Sequence, residues 1–246
     1  MHDVSEFIAI FRNVTFSFTV RYGAASTLKE RIISILKGQS IDLQVDAIRN
    51  LNLIIERGDI VTIVGANGSG KSTLLKLLGE IISPTEGEVL LNGTVASIIE
   101  LGDCFNHELT GFENIILLGT LLGRRPHEME ERVSSIVHWC GLENVIHHPV
   151  HSYSTGMIAK LAVAIFTDVR ADLILIDEIL SVCDKSFQIQ ALKRITEFNN
   201  LGSAVVLVTH DLDAAREMAH KAIWIDHGRL MQYGEVNAVI DAYLHA

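Results

Sequence analysis

The chain has 246 residues, enough for one large domain or two tightly joined lobes, and 48% of them are apolar, ample for a sizeable core. A formal net charge of −10 argues against a nonspecific nucleic-acid binder with a basic face. It leaves room for a phosphate site, which needs only local positive potential.

The first residues, Met1–Glu6, are polar and mildly acidic, without the basic start and apolar centre of a signal peptide. No apolar run approaches the length needed to cross a bilayer. A β-rich region is expected to about Gly58, with Phe16, Phe18, Val20 and Tyr22 at strand period. Within it, Thr27–Lys37 sets Leu28, Ile32, Ile35 and Leu36 on one helical face, with Lys29, Arg31 and Lys37 elsewhere. That pattern fits a helix packed on its own lobe and also one that meets a bilayer surface or a membrane-bound partner.

Next comes Ile60-Val61-Thr62-Ile63-Val64, a β-branched apolar run that reads as a buried strand. Gly65-Ala66-Asn67-Gly68-Ser69-Gly70-Lys71-Ser72-Thr73 follows and matches G-x-x-x-x-G-K-[ST]. From Ser72 to Ile82 the leucines and isoleucines recur at helical spacing. Strand, glycine loop and helix in that order make a phosphate cradle. Glycines let the backbone wrap closely around the anion, and loop amides and the helix N-terminus present N–H groups to it. Lys71 is expected to reach the β- and γ-phosphates, and the Ser72 hydroxyl to ligate Mg²⁺.

A helical lobe is expected over about 100–166. The three cysteines, Cys104, Cys140 and Cys183, are far apart and lack metal-ligand spacing, so free thiols in a reducing compartment are expected. His147, His148 and His151 cluster without a Cys or acidic partner at ligand spacing, so no metal is expected there.

Asp172-Leu173-Ile174-Leu175-Ile176-Asp177-Glu178 is an apolar strand ending in two carboxylates. Ligands gather at the carboxyl ends of strands in parallel α/β folds. Asp177 is therefore expected to hold Mg²⁺ through its water shell, and Glu178 to act as the general base toward the attacking water. Ala204–Val208 is a second buried strand, followed by Thr209 and His210. If it neighbours the first, His210 meets the γ-phosphate; it also suits a helix start near Asp211. Asp226-His227-Gly228 reads as a hairpin turn, and Val236–Leu244 as a last helix.

Tyr153-Ser154-Thr155-Gly156-Met157 lies about twenty residues before Asp177 and precedes the apolar run Ile158–Phe166. With the phosphate loop and the acidic strand end, it resembles the signature loop of the ATP-binding cassette family, usually LSGGQ. Tyr, Thr and Met replace Leu, Gly and Gln. The form resembles that of one branch, the ATPase subunits of polysaccharide, O-antigen and teichoic-acid exporters. Phe105–Ile115 and Ser181–Gln188 are similar to further segments of that branch, the second being its D-loop.

The resemblance covers nearly the whole chain. It implies an α/β fold with a P-loop NTPase (RecA-like) core, an N-terminal antiparallel β subdomain and an inserted α-helical subdomain. The expected bounds are about 1–58 for the β lobe, 59–99 and 167–234 for the core, 100–166 for the helical subdomain and 235–246 for the final helix.

The implied activity is ATP hydrolysis with Mg²⁺, driving a cell-surface polysaccharide across the cytoplasmic membrane. The implied setting is a homodimer on the cytoplasmic face, in which Ser154 and Gly156 meet the γ-phosphate held by the partner's loop and Asp184 meets the partner. Integral-membrane subunits would handle the glycan, and no nucleic acid is involved. The resemblance also leaves open another ABC transport or non-transport system, and an ATP-binding assembly protein without turnover. Adenine is expected to stack on Phe18 or Tyr22. The family's Mg²⁺-contacting glutamine has no counterpart between Gln44 and Gln188; Glu100 stands nearest the expected place. The chain ends soon after the expected core, so the C-terminal glycan-binding domain of some branch members is expected either to be absent or to have been removed from this chain.

Overall fold

The computed structural model describes residues 7–22, 41–99, 104–177, 182–209 and 211–246, with backbone alone at 20–22 and 41–42. Two long strands, β1 (Phe7–Tyr22) and β2 (Ile41–Glu56), pair antiparallel along most of their length. β3 (Ile60–Val64) leads into α1 (Lys71–Leu78), then come β4 (Glu86–Leu91) and β5 (Val95–Ile98). Three helices follow, α2 (Gly111–Leu121), α3 (Pro126–Cys140) and α4 (Thr155–Phe166). The chain then alternates β6 (Leu173–Ile176), α5 (Lys185–Asn200), β7 (Ala204–Val208) and α6 (Leu212–Met218). It closes with β8 (Lys221–Asp226), β9 (Arg229–Glu235) and α7 (Val236–Leu244).

Among the described residues these strands form two sheets. One is antiparallel, in the order β2-β1-β4; the other has the order β5-β6-β7-β3-β8-β9 and is parallel except for the β8–β9 hairpin. The hairpin turns through His227 and Gly228, both at positive φ, as a tight two-residue turn requires. β4 falls in the stretch expected to belong to the nucleotide core. It instead pairs with β1, Ile10 facing Leu90, and completes the antiparallel sheet.

The central strands carry unbroken apolar runs because both of their faces are covered. Leu173 and Leu175 of β6 pack with α1 and the antiparallel sheet; Ile174 and Ile176 pack with the helical lobe, α4 and α5. β7 divides the same way, with Val206 and Val208 on one side and Val205 and Leu207 on the other. α1 is shorter than the apolar spacing suggests. It stops at Leu78, and Gly79 then Glu80 follow, with Glu80 at φ +54°.

Candidate nucleotide site

β3 ends at Val64, and the loop that follows is shaped by close approach. A Cβ on Gly65, whose φ is +150°, would overlap the Ile225 carbonyl and sit 2.7 Å from Ser69 Oγ. Gly70 caps α1 in the left-handed region, with no side chain capping the helix. The first-turn amides are therefore left without a side-chain cap, and an anion is favoured there by both N–H groups and dipole. Lys71 is buried, and its Nζ donates to Gly65 O at 2.8 Å and Ala66 O at 3.0 Å, which holds the ammonium across the loop. The Ser69 hydroxyl is buried in the loop without a protein partner among the described residues.

That cradle fits a polyphosphate: a positive-φ glycine that admits no side chain, a buried cation and an orphaned hydroxyl. The residues expected to hold a metal, Ser72 at an exposed position and Asp177 at a half-buried one, carry oxygen donors, the type that suits a hard divalent cation such as Mg²⁺.

Sheet order fixes which strand ends meet. β7 lies between β3 and β6, so Thr209 stands between the phosphate loop and Asp177. Gly65, Lys71 and Thr209 line one small cavity of about 70 Å³, with Tyr243 of α7 at its side. Asp177 leaves β6 with its N–H directed at Ile98 O, 3.4 Å away. Glu178, His210 and Glu100 lie outside the described residues. Phe18, one of the two aromatics expected at adenine, is 46% exposed, while Phe16 packs into the core; a register shift between Phe16 and Ser17 separates their fates. The Tyr22 backbone pairs with Ile41, and its side chain is outside the described residues.

Ser154 is the N-cap of α4, its hydroxyl accepting from Met157 N at 3.3 Å, and Thr155 and Gly156 open the helix. Tyr153 is buried, and its hydroxyl donates to Val145 O at 2.7 Å. Burial pushes its phenol pKa up. A Cβ on Gly111 would run into that hydroxyl and lie 2.8 Å from Ile146 Cδ1, so glycine at the start of α2 makes room for the tyrosine.

The neighbouring loop is equally specified. Thr110 and Glu113 form a reciprocal capping box at α2, and Asn114, fully buried, donates to Asn106 O, Leu109 O and Thr110 O while accepting from Asn106 N. The Thr-x-x-Glu spacing was a readable signal for that cap. Nothing in the sequence marked the tyrosine's anchor.

The model of the ABC transporter family matches residues 48–181. The chain is 36% identical over 242 residues to the O-antigen export system ATP-binding protein RfbB of Klebsiella pneumoniae, across 96% of this chain and 97% of that one. The chain belongs to the ABC transporter family. It carries that family's ATPase domain.

The teichoic acids export ATP-binding protein TagH of Bacillus cereus is 33% identical over 95% of this ABC domain, which spans 42% of that longer protein. In fold, the domain resembles the ATP-binding cassette MJ0796, solved as a dimer in a post-hydrolysis state with ADP and Pi. The TM-score is 0.75 at 23% identity, over 93% of this chain and 99% of that one. Among the described residues, no helix is long and apolar enough to cross a membrane.

Proposed function

We propose that this chain is the ATP-hydrolysing subunit of an exporter that moves a cell-surface polysaccharide of the O-antigen or teichoic-acid type across the cytoplasmic membrane. The observation that carries the reading is end-to-end similarity to an O-antigen export ATP-binding protein, together with a phosphate cradle in which Lys71 and Thr209 converge. In this reading the residues Gly65–Thr73 hold the triphosphate, Ser72 and Asp177 hold Mg²⁺ with Glu100 as a further ligand, and Phe18 or Tyr22 stacks on adenine. Glu178 takes the proton of the attacking water, and His210 orients it.

The whole chain acts as one nucleotide-binding unit. Two copies pair head to tail, so that Ser154 and Gly156 of one complete the site of the other through helix N-terminal amides. The pair docks at the cytoplasmic face on membrane subunits, which hold the glycan. A buried, pre-shaped cradle supports turnover because its donors are already in place.

Phosphate release from the wild type and from Glu178→Gln, with MgATP as substrate, tests the reading. Loss of a general base costs about 10²–10⁴-fold in rate. A wild type no faster than the variant would reduce the chain to an ATP-binding assembly protein. Co-purification with integral-membrane subunits tests the transport half.

A further inference from the structure

Far along α5 from its N-cap, a cavity of about 290 Å³ opens among α3, the turn after α4 and the last turns of α5. Four guanidinium groups line it, Arg124, Arg132, Arg170 and Arg194, against two carboxylates, Asp168 and Glu197. That is a local surplus of two positive charges in a chain whose net charge is −10.

The charges are unevenly paired. Asp168, with only 2% of its side chain exposed, accepts from Arg132 Nε and, at 2.6 Å, from Arg132 Nη2. It also meets Arg194 Nη2 at 3.4 Å. One carboxylate thus serves two arginines, and the nearer one takes the fork. Arg194 is left with one long contact and the face of Trp139 at 4.5 Å. Its pKa is held below the ordinary value, first by burial and further by the neighbouring Arg132 charge. Arg124 and Arg170 form no ion pair among the described residues. A site that gathers guanidinium forks without matching carboxylates is under-neutralised, and a multivalent oxyanion is the ligand that relieves it.

We infer that this cavity binds a phosphate group, presented either by a soluble phosphorylated compound or by an anionic lipid headgroup. At about 290 Å³ the space is at the small end of ligand cavities, which run ~300–1,000 Å³. That leaves room for one or two phosphate units. The ligand would tie α3 of the helical lobe to α5, whose N-cap is Asp184.

The test uses the full chain carrying Lys71→Ala, so that the phosphate loop does not contribute, and sodium pyrophosphate as probe in isothermal titration calorimetry. Arg124→Gln with Arg170→Gln, added to that background, removes two forks that lie off the Asp168 pairs. The expected result is measurable pyrophosphate binding weakened about tenfold or more by the pair of changes, with an unaltered thermal midpoint. If the pair lowers the midpoint, Arg170→Glu alone, at an exposed position, reads the same loss. A second arm measures co-sedimentation with phosphatidylglycerol–phosphatidylcholine vesicles. Pyrophosphate binding that depends on the arginines assigns a soluble ligand, and vesicle binding that depends on them assigns a lipid headgroup. Neither dependence in either arm overturns the inference.

Discussion

Tyr153 shows how one side chain sets the position of a recognition loop. Its hydroxyl spans from the start of the signature segment to Val145 O, and Gly111 is the residue that leaves space for it. Gly111→Ala forces a methyl group against the phenol and Ile146, and overpacking of this kind costs about 1–3 kcal/mol. Urea denaturation should show that loss in the wild type. It should show a smaller one in a Tyr153→Phe background, where the clashing oxygen is gone. Equal losses in both backgrounds would mean that the tyrosine is not the obstacle.

Cysteine chemistry follows the same residue-level logic. Burial pushes the Cys140 thiol up to about 12 and raises Cys183 as well. At pH 8 both are expected to react with a disulfide reagent far more slowly than Cys104, and to catch up in denaturant, since the thiolate is the reactive form. Fast labelling of Cys140 in the native protein would contradict its buried position.

At the scale of elements, α4 and α5 are joined by a contact that the sequence did not announce. Lys160, on the second turn of α4, meets Asp184 Oδ2 at 2.5 Å, and the ammonium also lies 5.3 Å from the centre of the Phe187 ring. Asp184 is the N-cap of α5, accepting from Phe187 N and Ser186 Oγ. Lys160 first, then Ser186 and the Phe187 amide, hold its carboxyl well below the usual aspartate range. A depressed carboxylate stabilises the fold at every pH above the ordinary aspartate value near ~4, and the stabilisation is lost as pH falls through the folded value. Lys160→Met should bring the Asp184 titration up toward the ordinary range, read by the carboxyl carbon shift in NMR. An unmoved titration would make the lysine a bystander.

β3, the phosphate loop, β6 and α7 were legible because each is a local signal: a β-branched run, fixed glycine spacing, an apolar strand with an acidic end, a short periodic helix. The pairing of β4 with β1 was not legible, because residues paired across more than seventy positions of the chain choose partners through tertiary packing. The Asp168 and Lys160 contacts were hidden for the same reason. Each joins side chains whose neighbourhood exists only after the helical lobe has folded onto the sheet.

At the scale of the molecule, the sheet separates two cores, and the candidate site sits at the carboxyl ends of its strands. The loop at Gly65–Thr73 comes from one strand end, while Ser154 and Gly156 head a helix from the lobe. In the proposed head-to-tail pair, a working site takes its phosphate loop from one copy and its signature segment from the other. Two inactive variants then complement each other. Lys71→Ala spoils a copy's own loop and leaves its signature intact; Ser154→Glu puts a negative charge where the γ-phosphate of the partner's nucleotide would lie, and leaves its loop intact. In a mixed dimer one site has both faults and the other has none. Random pairing of equal amounts makes roughly half of the dimers mixed, as two-fold assembly requires. Phosphate release from the mixture should therefore recover to a clear fraction of the wild-type rate, while each variant alone stays inactive. A mixture as inactive as its components would place both halves of the site on the same copy and remove the basis for the pair.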